Sequence, residues 1–257
     1  MDNTNYIALS RQMALWKQMD IVSNNMANMN TSGYKQDDVL FSSFMVQTPD
    51  AQGIGRAPLY FTEDFGSFQD FSEDFGSFQD FSEGPIVETG NTFDLALKGD
   101  AFFCVDTDSG ERYTRKGQFS LDADGKLVTN DGAVVLSENN EPFFFAPGEK
   151  EISITESGDV MTENGVIGRL KLASFADNQK LMKVAGTMFE NVSGNAMQVG
   201  QNDAIVVQGA VEKSNVEPIV EMTRLVKLQR SYEYVQQMID QEHDRISNTI
   251  TTYAQLA

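Results

Sequence analysis

The sequence predicts a mixed α and β fold in which long terminal helices flank an inserted β-rich domain. Apolar residues near the N-terminus recur at helical spacing, and the C-terminal residues follow a strict alternation of threes and fours. Between these two regions lie short apolar or alternating runs separated by glycine-containing turns. The two ends are therefore predicted to pair as a coiled-coil-like helical domain, with the strands in between.

The N-terminal helix is indicated by one apolar stripe. Its members recur at mixed threes, fours and sevens, and they are Ala8, Leu15, Met19, Val22, Met26 and Met29. Asp2 or Asn3 can cap the start of this helix, and Gly33 in TSGYK can end it.

The C-terminal helix carries a longer and more regular seam. The seam residues are Leu225, Leu228, Tyr232, Val235, Ile239, Glu242, Ile246, Thr249, Tyr253 and Leu256. Such a repeat over more than four heptads is typical of a coiled coil. Pro218 fits the first turn of this helix, with Ser214 or Asn215 near its cap.

The middle of the chain reads as a series of strands. The predicted strands are DLALKG, AFFCVD, RYTRKGQFSLD, KLVTND, AVVLSE, EISIT, VIGRLKLASF and AIVVQGAVE. Turns are predicted at DSG, ADG, NDG, ESG and ENG, where glycine supplies positive φ. This region is the size of a single β-rich domain.

These signals divide the chain into four parts. We expect an N-terminal helix in residues 1–36, a connector in 37–83, a β-rich domain in 84–210 and a C-terminal coiled-coil helix in 211–257. Because the helical seam is longer than a β domain can cover, the helices are expected to pack on each other and on neighbouring copies.

The connector contains an exact tandem repeat, since Glu63–Ser72 recurs without change as Glu73–Ser82. Its phenylalanines fit neither a period of 2 nor one of 3.6, which predicts an irregular, turn-rich segment. Between Glu63 and Glu83 there are seven acidic residues and no basic one. This composition favours a solvated acidic surface over a convergent cation site.

The charge excludes several classes of partner. The chain has 19 Lys and Arg against 38 Asp and Glu, for a net charge of −19. It would therefore repel nucleic acid and anionic membrane surfaces. The first thirty residues hold charged side chains and no unbroken apolar run, so we expect neither a secretory signal nor membrane insertion.

The sequence offers little for catalysis, metal binding or a cofactor, and we expect none of these. His243 is the only histidine, which excludes sites that need two, and it is predicted on a solvated helical flank. Cys104 lies among apolar neighbours and is predicted to be a core residue. The DADG sequence at Asp122–Gly125 lacks the calcium-loop spacing and is predicted to be a hairpin turn.

Three segments, in order along the chain, resemble the bacterial flagellar rod and hook proteins. They are IVSNNMANMNTSGYK at residues 21–35, the stretch from TGNTFDLALKG to GAVVL at residues 89–136, and GAVEKSNVEPIVEMTRLVKLQRSYEYVQQMI at residues 209–239. The opening residues, SNVEPIVEMTRL and the modest length are most similar to the proximal-rod class. The distal-rod class is the alternative, and a hook protein is less similar.

The resemblance implies a non-enzymatic structural subunit of the basal-body rod. In that family the terminal helices form a coiled-coil inner domain and the β-rich domain lies outside it. Subunits pass through the flagellar type III export apparatus without a cleaved signal, and they stack helically into a shaft that crosses the periplasm. The implied partners are copies of the chain itself, other rod subunits and the export apparatus.

Residues matching the family motifs are Asn24, Asn25, Ala27, Asn28, Thr31, Gly33, Ser214, Asn215, Val216, Met222, Gln229, Arg230 and Tyr232. From the resemblance and the seams together we expect an assembly interface of Leu15, Met19, Val22, Asn24, Asn25, Met26, Asn28, Leu225, Leu228, Tyr232, Val235, Ile239, Ile246 and Tyr253. Arg224, Lys227 and Arg230 are expected to offset acidic charge across neighbours. The chain departs from the family at Ala101, where glycine is usual, and at NTF in place of NPL.

Two further points stay open in the sequence. Family members carry one copy of the segment that leads into the β-rich domain, so the first copy of the repeat is interpreted as a tolerated insertion. The competing hypothesis is that the six phenylalanines of the repeat bind an adjacent subunit. The rival functional class is a periplasmic hydrolase that acts through paired carboxylates.

Overall fold

The structure is a computed structural model, and it describes residues 2–39, 41–47, 58–64, 77–146, 152–191, 197–198 and 204–256. Two helices lie at the ends of the chain, and β-strands occupy the region between them. The mixed fold class predicted from the sequence is confirmed.

The helices are α1 (Asp2–Ala27) and α2 (Pro218–Leu256). The strands, in chain order, are β1 (Gln36–Val39), β2 (Phe41–Gln47), β3 (Pro58–Asp64), β4 (Ser77–Asp80), β5 (Ile86–Glu88), β6 (Leu95–Lys98), β7 (Phe102–Thr107), β8 (Gly110–Thr114), β9 (Phe119–Leu121), β10 (Leu127–Thr129), β11 (Val134–Val135), β12 (Ser153–Ile154), β13 (Asp159–Thr162), β14 (Gly165–Arg169), β15 (Leu172–Ser174), β16 (Leu181–Ala185), β17 (Met188–Asn191), β18 (Met197–Gln198), β19 (Ile205–Gln208) and β20 (Ala210–Glu212).

The chain forms two compact units. The first, here called the helix unit, comprises Met1–Ala27, Asp37–Phe78 and Glu217–Ala257. The second, here called the β-rich unit, comprises Asn28–Gln36 and Gln79–Val216.

In the helix unit, α1 packs against α2. The buried members of α1 include Ala8, Leu15 and Val22, which are spaced by seven residues and therefore lie on one face. Ala8 and Leu15 form a cluster with Val235 of α2. The seven-residue spacing is that of a coiled-coil seam, as the sequence predicts.

Helix α2 begins with Pro218, whose missing N–H costs nothing in the first turn of a helix. Glu221 adds a negative charge in the same turn, where it complements the helix dipole. Ser214 and Asn215 lie just before this first turn: Ser214 Oγ accepts from Val216 N, and Asn215 Nδ2 donates to the carbonyl of Asp80. Both side chains stabilise the segment that leads into α2.

A hairpin in the helix unit was not predicted. Strands β2 and β3 pair antiparallel, with Phe44 opposite Phe61, and β3 contacts α1. Sequence reasoning assigned these residues to a connector.

The β-rich unit is built around one large antiparallel sheet. Within the described ranges, seven strands follow the order β16-β17-β8-β7-β11-β10-β9, while β15 also pairs with β7 and β18. The smaller sheets pair β12 with β13 and β13 with β14, β6 with β19, and β5 with β20. The principal core lies among these sheets and includes Leu95, Phe103, Phe143, Val160 and Val206.

The turns predicted from glycine are confirmed, because the five glycines at positions 110, 125, 132, 158 and 165 all have positive φ. Three predicted strands are broken. RYTRKGQFSLD divides into β8 and β9, VIGRLKLASF into β14 and β15, and AIVVQGAVE into β19 and β20. The last break falls at Gly209, whose φ of 75° turns the chain between two partner strands.

Gly33 shows why a motif residue in the β-rich unit must be glycine. Its φ is 69°, and a Cβ atom there would lie 2.4 Å from the backbone nitrogen of Lys116. Gly33 N also donates to the carbonyl of Glu212 at 2.9 Å. Any side chain at this position would separate these backbones.

Candidate assembly interface

The predicted seam of α2 is visible as a burial pattern. Leu225, Leu228, Tyr232, Ile239, Glu242 and Ile246 are half-buried and Val235 is buried, whereas most residues between them are exposed. Leu228, Tyr232 and Ile239 pack against the cluster of Ala8, Leu15 and Val235. This part of the predicted interface therefore lies between α1 and α2 of the same chain.

The seam does not continue uniformly to the C-terminus. Thr249 is exposed, and the side chains of Tyr253 and Leu256 lie outside the described residues. On α1, Leu15 and Val22 are buried, while Met19 and Met26 are half-buried.

The asparagines of the N-terminal motif have different surroundings. Asn25 is fully buried in the helix unit, where its amide donates to Asp37 O at 2.8 Å and its Oδ1 accepts from Asp37 N at 3.0 Å. Its Nδ2 also lies 3.3 Å from Glu221 Oε2 of α2. Asn25 thus joins α1 to the start of α2 and to Asp37, where the chain returns to the helix unit.

Asn24 is exposed, in contrast to Asn25. Asn28 is half-buried in the β-rich unit and accepts from the Thr31 hydroxyl at 3.2 Å. Asn25 and Asn28 therefore make contacts within the chain that stabilise its fold.

Arg224 also has its partners inside the chain. Its guanidinium donates two hydrogen bonds to Asp38, at 2.5 and 3.3 Å, and lies 3.8 Å from the Glu221 carboxylate. The hydrogen bond to Asp38 raises the pKa of Arg224 above its ordinary value. Lys227 and Arg230 are exposed on the same helix.

The helix unit exposes apolar surface that the sequence reasoning missed. On α1, Leu9, Met13 and Trp16 are 50%, 64% and 60% exposed. Their spacing of four and three residues places them on one face, away from the buried seam. We call these three residues the α1 outer stripe.

Helix α2 also has large exposed apolar side chains: Ile219, Val220, Met222, Val226, Tyr234 and Met238. Ile219, Met222 and Val226 follow the same helical spacing. We call Ile219, Met222 and Val226 the α2 outer stripe. The signal was present in the sequence, because both stripes carry apolar residues at helical spacing outside the seam positions.

A buried ionic cluster holds together distant parts of the β-rich unit. Glu212 of β20 accepts from Lys35 Nζ at 2.7 Å, from Arg115 Nη1 at 3.4 Å and from Gly84 N at 2.9 Å. The side chains of Lys35, Arg115 and Glu212 are each 1% exposed. Burial lowers the pKa of Lys35, and the adjacent Glu212 carboxylate opposes that shift.

Arg115 and Lys35 make further contacts around this cluster, although Arg115 Nε is buried without a hydrogen-bond partner. Arg115 Nη2 donates to Gly99 O at 2.7 Å, and the guanidinium lies 5.0 Å from the centre of the Phe102 ring. Lys35 donates to the carbonyl of Ser82 at 2.6 Å. Because the three charged side chains are buried and come from distant parts of the chain, we interpret the cluster as structural and not as a site open to a substrate.

Other residues considered for chemistry have structural surroundings. Cys104 is buried in the second core cluster, and burial raises the pKa of its thiol. His243 is exposed. Asp122–Gly125 is a turn between β9 and β10, in which the Asp122 carboxylate accepts from Asp124 N and Lys126 N. Each of these three predictions is confirmed.

Over the part of the chain that the structure describes, no cluster of three or more His, Cys, Asp or Glu side chains is arranged to hold a metal ion. In the same ranges, neither helix combines the length and the apolar character needed to cross a membrane.

Three family models match the chain. The description "Flagella basal body rod protein" matches residues 6–35, "Flagellar hook protein FlgE/F/G D1 domain" matches residues 96–162, and "Flagellar basal body rod FlgEFG protein C-terminal" matches residues 207–252. The first and third matches cover most of α1 and α2, and the second covers the centre of the β-rich unit.

Similar whole proteins are also known. The flagellar basal-body rod protein FlgF of Caulobacter vibrioides is 38% identical over 244 residues, which cover 93% of each chain. FlgF of Rhizobium meliloti is 31% identical over 96% of each chain. The flagellar basal-body rod protein FlgG of Agrobacterium fabrum is 31% identical over 88% of this chain and 90% of its own length.

The paired terminal helices, the β-rich sheets between them and the near full-length similarity agree with one assignment. The chain belongs to the flagellar basal-body rod protein family, and it is an FlgF-like, non-enzymatic structural subunit of the rod.

Proposed function

We propose that the chain is a proximal-rod subunit that polymerises helically through its terminal helices and transmits torque across the periplasm. The observation that carries this proposal is the pair of outer stripes. The α1–α2 seam is occupied within the chain, yet both helices still expose large apolar side chains. Such surface on a helix pair is typical of a protein interaction site.

The chemistry of the two stripes favours contacts between subunits. The α1 outer stripe contains Trp16 and Met13, which are residue types enriched at protein interfaces. Complete burial of one such side chain contributes roughly 1.5–3 kcal/mol. Because the α1 and α2 outer stripes are different surfaces, pairing one with the other gives a head-to-tail contact, which generates a helical filament when the ring does not close.

In this proposal, the seam residues predicted from the sequence hold the two helices of one chain together, and the outer stripes make the contacts between subunits. The helix pair is built by Leu15, Leu228 and Val235, and the outer stripes present that pair to neighbouring subunits. Asn24 is exposed on α1, whereas Asn25 is buried and supports the pair from inside.

The proposed partners are copies of this chain and other rod subunits. We further propose that the chain reaches the rod through the flagellar type III export apparatus without a cleaved signal, as the family resemblance implies. The proximal position rests on the similarity to the FlgF proteins over nearly the whole chain. The FlgG similarity supports the distal position as the second candidate.

The assembly surface can be tested with Trp16→Asp in cells that lack the chromosomal copy. A carboxylate in the α1 outer stripe should abolish motility and reduce the yield of complete basal bodies, because burial of an unpaired charge is costly. The matched control is Lys17→Asp, which places the same carboxylate at the next, exposed position.

Normal basal bodies in the Trp16→Asp strain would overturn the role of the α1 outer stripe.

A complementation experiment distinguishes the proximal from the distal position in the rod. Rescue of a strain lacking its FlgF-type subunit, without rescue of one lacking its FlgG-type subunit, supports the proximal assignment, and the reverse result would replace it.

A further inference from the structure

Helix α2 carries two clusters of opposite charge on its exposed surface. Lys227 and Arg230 form the basic cluster, and Asp240 and Asp244 form the acidic cluster. All four residues are exposed, and within the described ranges none of them belongs to a salt bridge. Asp240 Oδ1 accepts a hydrogen bond from the Gln236 amide at 3.1 Å. These charges are therefore available to another molecule.

The other charged side chains of the same helix have partners in their own chain. Arg224 pairs with Asp38, and Arg245 pairs with Glu242, both at 2.5 Å. Glu233 lies between the two clusters and accepts a hydrogen bond from the preceding turn at 3.3 Å. The basic and acidic clusters stand apart from this pattern.

The clusters do not stabilise the helix that carries them. Lys227 and Arg230 are three residues apart, and Asp240 and Asp244 are four residues apart. Each cluster therefore brings like charges together on one part of the helix surface, which destabilises an isolated helix. Opposite charges supplied by another molecule would remove this repulsion.

The two clusters match each other in spacing. Asp240 follows Lys227 by thirteen residues, and Asp244 follows Arg230 by fourteen. At 1.5 Å and a little under one third of a turn per residue, the acidic cluster lies about 20 Å along the helix from the basic cluster and about 90° around it. A single shift of that size places both acidic residues of one helix beside both basic residues of another.

We propose that α2 of one copy binds α2 of a second copy through these clusters, with the two helices parallel and offset by about 20 Å. Lys227 then faces Asp240 of the second copy, and Arg230 faces Asp244. Because the two clusters are different surfaces, each copy keeps one cluster for a further neighbour, and the contact repeats along a helical array. The inference rests on the proposed function, since it identifies which charged surfaces meet when identical subunits form the rod.

The net charge of the chain gives this contact a purpose. At −19, identical copies repel each other. Facing clusters of opposite charge reduce the repulsion where the helices meet, and they fix the offset between copies. Exposed ion pairs bind weakly, so the clusters set the alignment while the apolar outer stripes supply most of the binding.

The pairing is tested by reversing the clusters separately and together in cells that lack the chromosomal copy. One variant combines Lys227→Glu with Arg230→Glu, and the other combines Asp240→Lys with Asp244→Lys. Each places like charges face to face and should lower the yield of complete basal bodies by roughly tenfold or more. The chain with all four substitutions again has opposite charges at the contact, so its yield should return to within about twofold of the original.

The matched control combines Asp108→Lys with Glu163→Lys. Both residues are exposed in turns of the β-rich unit, and the two substitutions change the net charge as much as reversal of the acidic cluster does. The control should leave the yield of basal bodies unchanged. Circular dichroism of the purified variants should show unchanged helix content, because all of the substituted residues are exposed.

Three results would overturn the proposal. Unchanged yields after reversal of either cluster would show that the clusters make no contact in the rod. Loss in both variants without recovery in the chain with four substitutions would show that they face a different subunit. An equal loss in the control would assign the effect to net charge. The Trp16→Asp strain tests the proposed function separately, so loss of rods there with any of these results removes only the contact between the clusters.

Discussion

Loss of the Glu212 charge should strongly destabilise the β-rich unit. Glu212 is the acceptor for two buried cations, Lys35 at 2.7 Å and Arg115 at 3.4 Å, and for the backbone N–H of Gly84. Glu212→Gln keeps the size of the side chain but leaves both cations without a buried counter-charge. Breaking a buried pair by removing one partner costs about 3–5 kcal/mol.

The magnitude follows from burial, because all three charged side chains are 1% exposed and water cannot replace the lost carboxylate. A cost of this size is a large share of the roughly 5–15 kcal/mol that stabilises a typical domain. Urea unfolding followed by circular dichroism of the β-sheet signal measures it as a fall in the free energy of unfolding.

The matched control is Glu190→Gln. Glu190 pairs with Arg112, but its side chain is 41% exposed, so this pair should contribute at most about 1 kcal/mol. Equal effects of the two substitutions, or a loss below about 1 kcal/mol for Glu212→Gln, would refute the argument that burial gives the cluster its importance.

Three further predictions follow from the packing. Leu228→Asp places a carboxylate against the α1–α2 cluster and should abolish rod assembly while the β-rich unit stays folded; loss of motility together with unchanged β-sheet circular dichroism checks this. Gly33→Ala should destabilise the β-rich unit by about 1–3 kcal/mol, because its φ is 69° and a Cβ would lie 2.4 Å from Lys116 N; an unchanged urea midpoint would contradict this. Burial, reinforced by the Glu111 carboxylate, raises the pKa of Tyr113 to about 12 from 10.0, so its contribution to stability is complete below pH 10 and is lost as pH rises towards 12. Tyr113→Phe should remove that part of the alkaline decline, and pH-dependent unfolding of the two proteins side by side decides it.

The sequence predicts best those features that depend on local chemistry. The heptad spacing of α2 was sufficient to predict its half-buried seam, because a helix repeats its face every 3.6 residues. The glycine turns were equally clear, since positive φ at Gly110 or Gly125 is readily adopted by few other residue types.

Features that depend on long-range contacts were missed. Lys35, Arg115 and Glu212 lie far apart in the sequence, and no local pattern indicates that they share a buried site. The sequence does not indicate the β2–β3 hairpin, because ten residues separate Gln47 from Pro58, which is longer than the turns that mark a hairpin in a sequence. The α1 outer stripe was overlooked because the buried stripe at Ala8 and Leu15 gave a sufficient reason for the helix.

The central claim is that the outer stripes of the helix unit contact neighbouring rod subunits. The most direct measurement replaces Met13, which is 64% exposed, with a photo-crosslinking amino acid in motile cells and analyses the isolated basal bodies. We predict covalent products between this chain and a second rod subunit, formed on illumination and traceable to position 13. Basal bodies that contain the substituted chain but yield no such product would contradict the claim.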